Sequence, residues 1–216
     1  MKEKLRQNEL NNNKKNNNAE KKREFAGKLA FYIGSLHKGG AERVFVNLAE
    51  YFQNKGYEII MVTQYRKEEE YELADGIRRI ISDITPEETG TDRVRNFYRR
   101  LKKLHLIWKK EQPDLVLSCA GKNNFMTIVT TMFTRTKPVV SVVGEAKEEY
   151  PGRLMRFLAN LLFPFAAGVI LQTERSGEFF STRVSKMAVI LPNSLNPLFM
   201  RERFRGEREK RIVSVG

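Results

Sequence analysis

The chain has 216 residues, room for one full domain and little more, and lysine plus arginine outnumber aspartate plus glutamate by 39 to 26, a formal charge of +13. That excess calls for an acidic partner without choosing among nucleic acid, an anionic membrane face and phosphorylated small molecules. One cysteine, Cys119, excludes a disulfide framework and a cysteine metal quartet and fits a reducing, cytoplasmic setting.

Residues 1–27, with "NELNNNKKNNNAEKKREF", are rich in Asn and Lys, lack a hydrophobic period and read as a disordered leader. The opening "MKEKLRQNEL" has no apolar core, so no secretory signal is expected. "KLAFYIGS" is an apolar run suited to a strand buried on both faces. After the pair Gly39-Gly40, Val44, Leu48, Tyr51 and Phe52 recur at helical spacing until "NKGY" ends the helix.

"YEIIMVTQ" and the shorter "RRIIS" give two more strands around a charged loop containing Glu68 to Glu70. A long helix follows over 93–110, where Val94, Phe97, Leu101, Leu104 and Trp108 repeat at three and four residues and the other faces are basic. "PDLVLSC" is a strand, "KNNFMTIVTTMFT" a helix, "KPVVSVVG" a strand, "GRLMRFLANLLF" a helix, "AGVILQT" a strand, "ERSGEFFS" a short helix and "MAVILPNS" a last strand. The longest apolar run, Leu158 to Leu171, is broken by Asn160 and Pro164 and falls short of the roughly 18–20 residues that span a bilayer.

Alternation of strand and helix with short connections argues for an α/β, Rossmann-like doubly wound parallel sheet. Ligands in such sheets bind outside the carboxyl ends of the strands. Gly39 and Gly40 lie there, where free N–H groups and the helix dipole favour an anion, although a tight strand-to-helix turn accounts for them equally well. Glu42 and Arg43 fall in the helix's first turn, Glu42 serving either the dipole or a substrate. Lys122 is a candidate for a phosphate, and Asn123 and Asn124 either bind hydroxyls or cap a helix. Glu145 ends another strand, as a hydroxyl ligand or a solvated loop residue.

His37 and His105 have no ligand partners at metal spacing, so no metal is expected. Ser35 and Cys119 lack a base that would make either a nucleophile. On the basic helix, Arg95, Arg99, Arg100, Lys102, Lys103 and Trp108 are candidates for docking on anionic lipid, against the plainer reading of a helix packed on the sheet.

"KGGAERVFVNLAEYFQNKGYEIIMVTQ" resembles the opening of family-4 glycosyltransferases of the GT-B type, and the likeness continues in order through "PDLVLS", "VILQTE", "VILPNSLNP" and "IVSVG". It runs from Lys28 to Gly216. The resemblance implies the N-terminal, acceptor-binding half of a GT-B fold over 28–199, with 200–216 as interdomain linker and first strand of a donor domain whose donor-binding Arg, Lys and paired glutamates lie beyond the chain. It implies a retaining enzyme of surface-glycan synthesis that moves a sugar from a nucleotide sugar, UDP-linked, to a lipid-linked or polysaccharide acceptor, without a metal or other cofactor.

On that reading this piece alone is inactive, Gly39, Gly40, Glu42 and Arg43 form the loop facing the donor phosphates, and the protein sits in the cytoplasm or at the inner face of the plasma membrane. Lys122, Asn123, Asn124 and Glu145 are then the acceptor candidates; many relatives carry a histidine near Gly144-Glu145, so the sugar contact made there is in doubt, and Glu145 would instead bond sugar hydroxyls or remain a solvated loop residue. The alternative is a non-catalytic Rossmann-like module that holds an anionic ligand or a membrane. No RNP-like or helix-turn-helix signature points to nucleic acid.

Overall fold

The computed structural model describes residues 26–84 and 92–193. Seven parallel strands form one sheet: β1 (Lys28–Ile33), β2 (Glu58–Thr63), β3 (Arg78–Ile81), β4 (Leu115–Cys119), β5 (Lys137–Val142), β6 (Gly168–Leu171) and β7 (Ala188–Ile190), in the order β3-β2-β1-β4-β5-β6-β7. Residues 1–25, within the expected leader, residues 85–91, and residues 194–216, with the linker and strand expectations made for them, lie outside the described residues.

Alternate side chains of each central strand point to opposite faces, and both sets are apolar. Phe31 and Ile33 of β1 and Ile59 and Met61 of β2 meet Phe45 and Ala49 of helix α1 (Gly40–Asn54). Ala30, Tyr32, Ile60, Val62 and Val116 face the other way, onto Leu104 and Trp108 of α2 (Arg93–Glu111) and Met126 of α3 (Gly121–Thr131). That second layer continues over Val140, Val142, Val169 and Leu171, which pack on Ile128 of α3, Ala159 of α5 (Gly152–Leu162) and Phe163 in the 3-10 turn behind it. Short helices α4 (Ala146–Glu149), α6 (Glu174–Glu178) and α7 (Thr182–Met187) complete the set; α4 and α7 were not read from the sequence.

Helix α2 departs from the expected stripe. Asn96, Leu104 and Trp108 are its buried residues, whereas Val94 and Phe97 are 77% and 51% exposed. Nineteen helical residues span roughly 28 Å and the neighbouring strands of four to six only about 13–20 Å, so the helix outruns the sheet it covers. Asp92 starts it by accepting from the amides of Val94 (2.9 Å) and Arg95 (3.2 Å). Glu111 fixes its far end, pairing with Lys28 at 3.0 Å and with Arg78. The Arg78 guanidinium, then Lys28, hold the Glu111 carboxyl down at about 2, against a desolvation that opposes them.

Trp108 must be withdrawn from the docking candidates. It is fully buried, edge-on to Tyr32 with ring centroids 6.1 Å apart, and its Nε1–H donates to Thr130 Oγ1 at 2.9 Å. A side chain that joins helix to sheet in this way cannot reach a headgroup. Trp108→Ala is expected to cost about 3–5 kcal/mol in urea unfolding, the usual range for a large core aromatic.

Candidate functional site

The strand order reverses between β1 and β4. The loop after β1 leads to α1 on one face and the loop after β4 to α3 on the other, so the two part and leave a crevice at the carboxyl edge.

Gly39 is the N-cap of α1 in an extended conformation, φ −126° and ψ 171°, with no side-chain cap. Neither Gly39 nor Gly40 has the left-handed backbone that demands glycine, and a Cβ on Gly40 would meet nothing within 4 Å. The fold itself therefore gives no reason for Gly40; the bare backbone there faces open space. Glu42 stands in the first turn of α1, where its charge suits the helix dipole, and folds back over Gly39. Arg43 is exposed and lies 5.7 Å from the ring centroid of Tyr71.

This first loop is clamped from the side by the β2–β3 connection, which contains no helix. Tyr71 N–H donates to Leu36 O at 2.8 Å, and His37 Nδ1 is 2.9 Å from Glu69 O. Glu70 accepts from Leu36 N at 3.2 Å, from Lys67 N at 3.0 Å and from both terminal nitrogens of Arg79, at 2.5 and 3.0 Å. The Arg79 guanidinium above all keeps the Glu70 carboxyl at about 2 against desolvation, with the two amides assisting. The sequence marked three glutamates in this loop and had no signal for which one turns inward.

Across the crevice, Asn124 is fully buried. Its Nδ2 donates to Ser141 O at 2.9 Å and Tyr150 Oη at 2.8 Å, while Oδ1 accepts from Ser118 Oγ at 2.8 Å. All its capacity that faces the protein is used, which removes it from the acceptor candidates. Asn123 is half-buried, accepting from Gln64 Nε2 at 2.7 Å and donating to Cys119 O at 3.3 Å. Gln64 also donates to Tyr32 Oη at 2.9 Å, and burial pushes that phenol up to about 12. Lys122 is exposed beside them.

The amino end of α3, which offers amides to an anion, is already taken. Glu149, which the sequence did not single out, accepts from Gly121 N at 3.1 Å, Val143 N at 2.7 Å and Gly144 N at 2.6 Å. Cys119 is buried, and burial raises its thiol far out of the thiolate range, so it cannot act as a nucleophile. His105 Nδ1 meets Thr130 O at 2.7 Å and ties α2 to α3.

Beyond this crevice, at the carboxyl ends of β5 and β6, a cleft of about 560 Å³ opens, with Glu145, Lys147, Arg156, Gln172, Thr173 and Arg175 in its wall. Glu145 is exposed and makes no cap bond, so its carboxylate is open to a ligand. Thr173 caps α6 through Ser176 N at 3.2 Å, and Gln172 Nε2 donates to Asn193 Oδ1 at 3.0 Å. Arg156 stacks 5.0 Å from the Phe179 ring centroid. Thr173 lies in the strand-end motif "VILQTE", but Arg156 sits inside a helix and reaches the cleft only through the packing of α5. The Gly pair follows β1, two strands from β5 and three from β6, roughly 10–15 Å along the same edge.

The model of Glycosyltransferase Family 4 matches residues 38–186, from the loop before Gly39 to the end of α7. The chain belongs to glycosyltransferase family 4. It carries the Rossmann-like N-terminal domain of the GT-B type. A curated relative is the Campylobacter jejuni α-1,4-N-acetyl-D-galactosaminyltransferase that acts on a GalNAc-GalNAc-diNAcBac-diphosphoundecaprenol glycan, 21% identical over 165 residues, covering 76% of this chain and 45% of the relative. The chain thus spans less than half the length of that relative. Similar solved structures are Anabaena HepE in complex with UDP and glucose (TM-score 0.56, 15% identity, 79% of this chain and 45% of that one) and a sucrose-phosphate synthase from Thermosynechococcus elongatus (TM-score 0.59, 14% identity, 79% and 49%). These last two establish the shared fold.

Two outcomes follow for this family-4 domain. The Glu70 carboxyl falls from an ordinary 4.5 to about 2 on folding, so its contribution is complete above pH 4.5 and is lost as pH drops towards 2. Arg79→Leu should therefore unfold more easily in urea at pH 7, by about 1–3 kcal/mol, with the gap from wild type closing between pH 4.5 and 2. Glu149→Gln keeps one oxygen for the amides of Val143 and Gly144 and sets its NH2 against Gly121 N–H, and a loss of about 1–3 kcal/mol with faster hydrogen exchange at Gly121 is expected.

Proposed function

We propose that this domain is the acceptor side of a retaining glycosyltransferase that moves a sugar from a UDP-linked donor to a lipid-linked or polysaccharide acceptor in surface-glycan synthesis. Membership of family 4 supports the class of reaction, and the Campylobacter relative, which by name acts on an undecaprenol-diphosphate glycan, supports the class of acceptor. HepE binds UDP and glucose on the same fold.

The observation that carries the reading in this chain is Gly40: an ordinary backbone conformation, no neighbour for a Cβ, and a position at the amino end of a fifteen-residue helix. Departure of the sugar leaves negative charge on the nucleoside diphosphate, and amide N–H groups fixed at a helix start stabilise it without reorganisation. Any side chain at 40 would stand between that charge and the amides. Glu42 has to swing away from Gly39 as the diphosphate arrives, since two anions cannot share the place. The cleft offers Glu145 to accept hydrogen bonds from sugar hydroxyls and Lys147, Arg156 and Arg175 to hold acceptor phosphate. No metal or cofactor enters this reading.

The test is a transfer assay on the protein expressed from its whole reading frame, with a panel of UDP-sugars and an undecaprenyl-diphosphate glycan, read as a mass gain of one sugar. Transfer is expected, and Gly40→Val should lower kcat about a hundredfold, the scale of one oxyanion-type donor. Absence of transfer from every donor would reject the proposal.

A further inference from the structure

One side chain at the floor of the crevice joins three elements. Gln64 directly follows β2, and its backbone N–H meets Ile33 O at 3.2 Å and Gly34 O at 2.9 Å, at the start of the first loop. Its side chain passes the carboxyl end of β1, which lies between β2 and β4, to reach Asn123 in the first turn of α3. Nε2 is 2.7 Å from Asn123 Oδ1, 2.9 Å from Tyr32 Oη and 3.8 Å from Met126 Sδ.

Which end of an amide faces which way is decided by the groups it meets, and here the order is set from the backbone outward. Cys119 O can only accept, so it takes a proton from Asn123 Nδ2 at 3.3 Å. That turns Asn123 Oδ1 to Gln64, which must answer with Nε2. The second Nε2 proton goes to Tyr32 Oη, whose own proton, kept on the phenol by burial, is directed at Met126 Sδ at 3.7 Å. Both donors of Gln64 are thereby spent, and its Oε1 has no partner among the described residues. Among those residues Thr127 Oγ1 is the one fully buried side-chain nitrogen or oxygen that lacks a partner. The oxygen of half-buried Gln64 therefore reaches solvent, at the carboxyl edge between the first loop and α3.

We infer that Gln64 is a specificity-determining residue of the crevice, its Oε1 accepting a hydrogen bond from a sugar hydroxyl or acetamido N–H. An oxygen with no proton to give does not hold phosphate, whereas the amides at Gly39-Gly40 do. The crevice thus has a donating end at the Gly pair and an accepting end at Gln64, and a sugar phosphate fits it in one direction. A ligand without a donor at this point takes water from the amide oxygen and returns nothing, so it is rejected. That the sugar belongs to a donor or an acceptor of transfer rests on the transferase reading above; the polarity of Gln64 does not.

The test is NMR on the protein expressed from its whole reading frame, titrated with methyl glycosides of glucose, galactose, N-acetylglucosamine and N-acetylgalactosamine in the absence of nucleotide. Both Nε2 protons of Gln64 are expected to exchange slowly with water before any sugar is added, and a glycoside to shift the signals of Gln64, Asn123 and Gly34. Gln64→Met, of similar length, should weaken that glycoside about tenfold with an unchanged circular dichroism spectrum, the scale of one neutral hydrogen bond. In the transfer assay the same variant should raise KM about tenfold, for the UDP-sugar if the sugar at Gln64 is the donor's and for the glycan if it is the acceptor's. Glycoside binding at Gln64 without transfer would reject the transferase reading alone. Fast exchange of the Nε2 protons, no glycoside that shifts Gln64, or equal affinity in Gln64→Met would overturn the inference. So would transfer in which Gln64→Met leaves both KM values unchanged.

Discussion

A parallel sheet carries its backbone hydrogen bonds within itself and leaves two apolar faces, each of which must be covered. In this chain the requirement is met by α1 on one face and by α2, α3 and α5 on the other. Everything functional depends on that division. Because the helices after β1 and β4 leave in opposite directions, the carboxyl edge splits between them, and the loops that cross it keep bare backbone and charged side chains in reach of a ligand.

Three glutamates hold elements of the described domain together. Glu70 ties the loop after β1 to β3 through Leu36 N and Arg79, Glu149 gathers three amides where α3 and the β5 loop meet, and Glu111 anchors the end of α2. Each replaces water around buried or half-buried donors with a fixed anion, which stabilises them and makes the loops rigid.

Two open regions emerge. The carboxyl edge offers an anion-receptive helix start at Gly39-Gly40 and a cationic cleft with one open carboxylate at Glu145. The outer layer presents an apolar stripe on α5, with Leu154, Phe157 and Leu161 exposed. Helix α5 is shared: Arg156 faces the cleft and Phe157 the outside.

Sequence alone determined the strands, the doubly wound class and the family, because buried strands read as continuous apolar runs and the motifs keep their order. It also marked the edge loops, and Glu145 is indeed in the cleft wall. Tertiary structure decided which polar residues are free to act. Asn124 and Trp108 looked available on spacing and proved fully buried, with Ser118, Ser141, Tyr150 and Thr130 as their partners. Glu149 and Arg156 gave no local signal, since their partners come from elements far along the chain. The same holds for α5, whose apolar period is visible in sequence but whose outward stripe is defined only once the core has claimed the other side. Periodicity tells how a segment folds; which of its faces remains in contact with solvent depends on what packs against it.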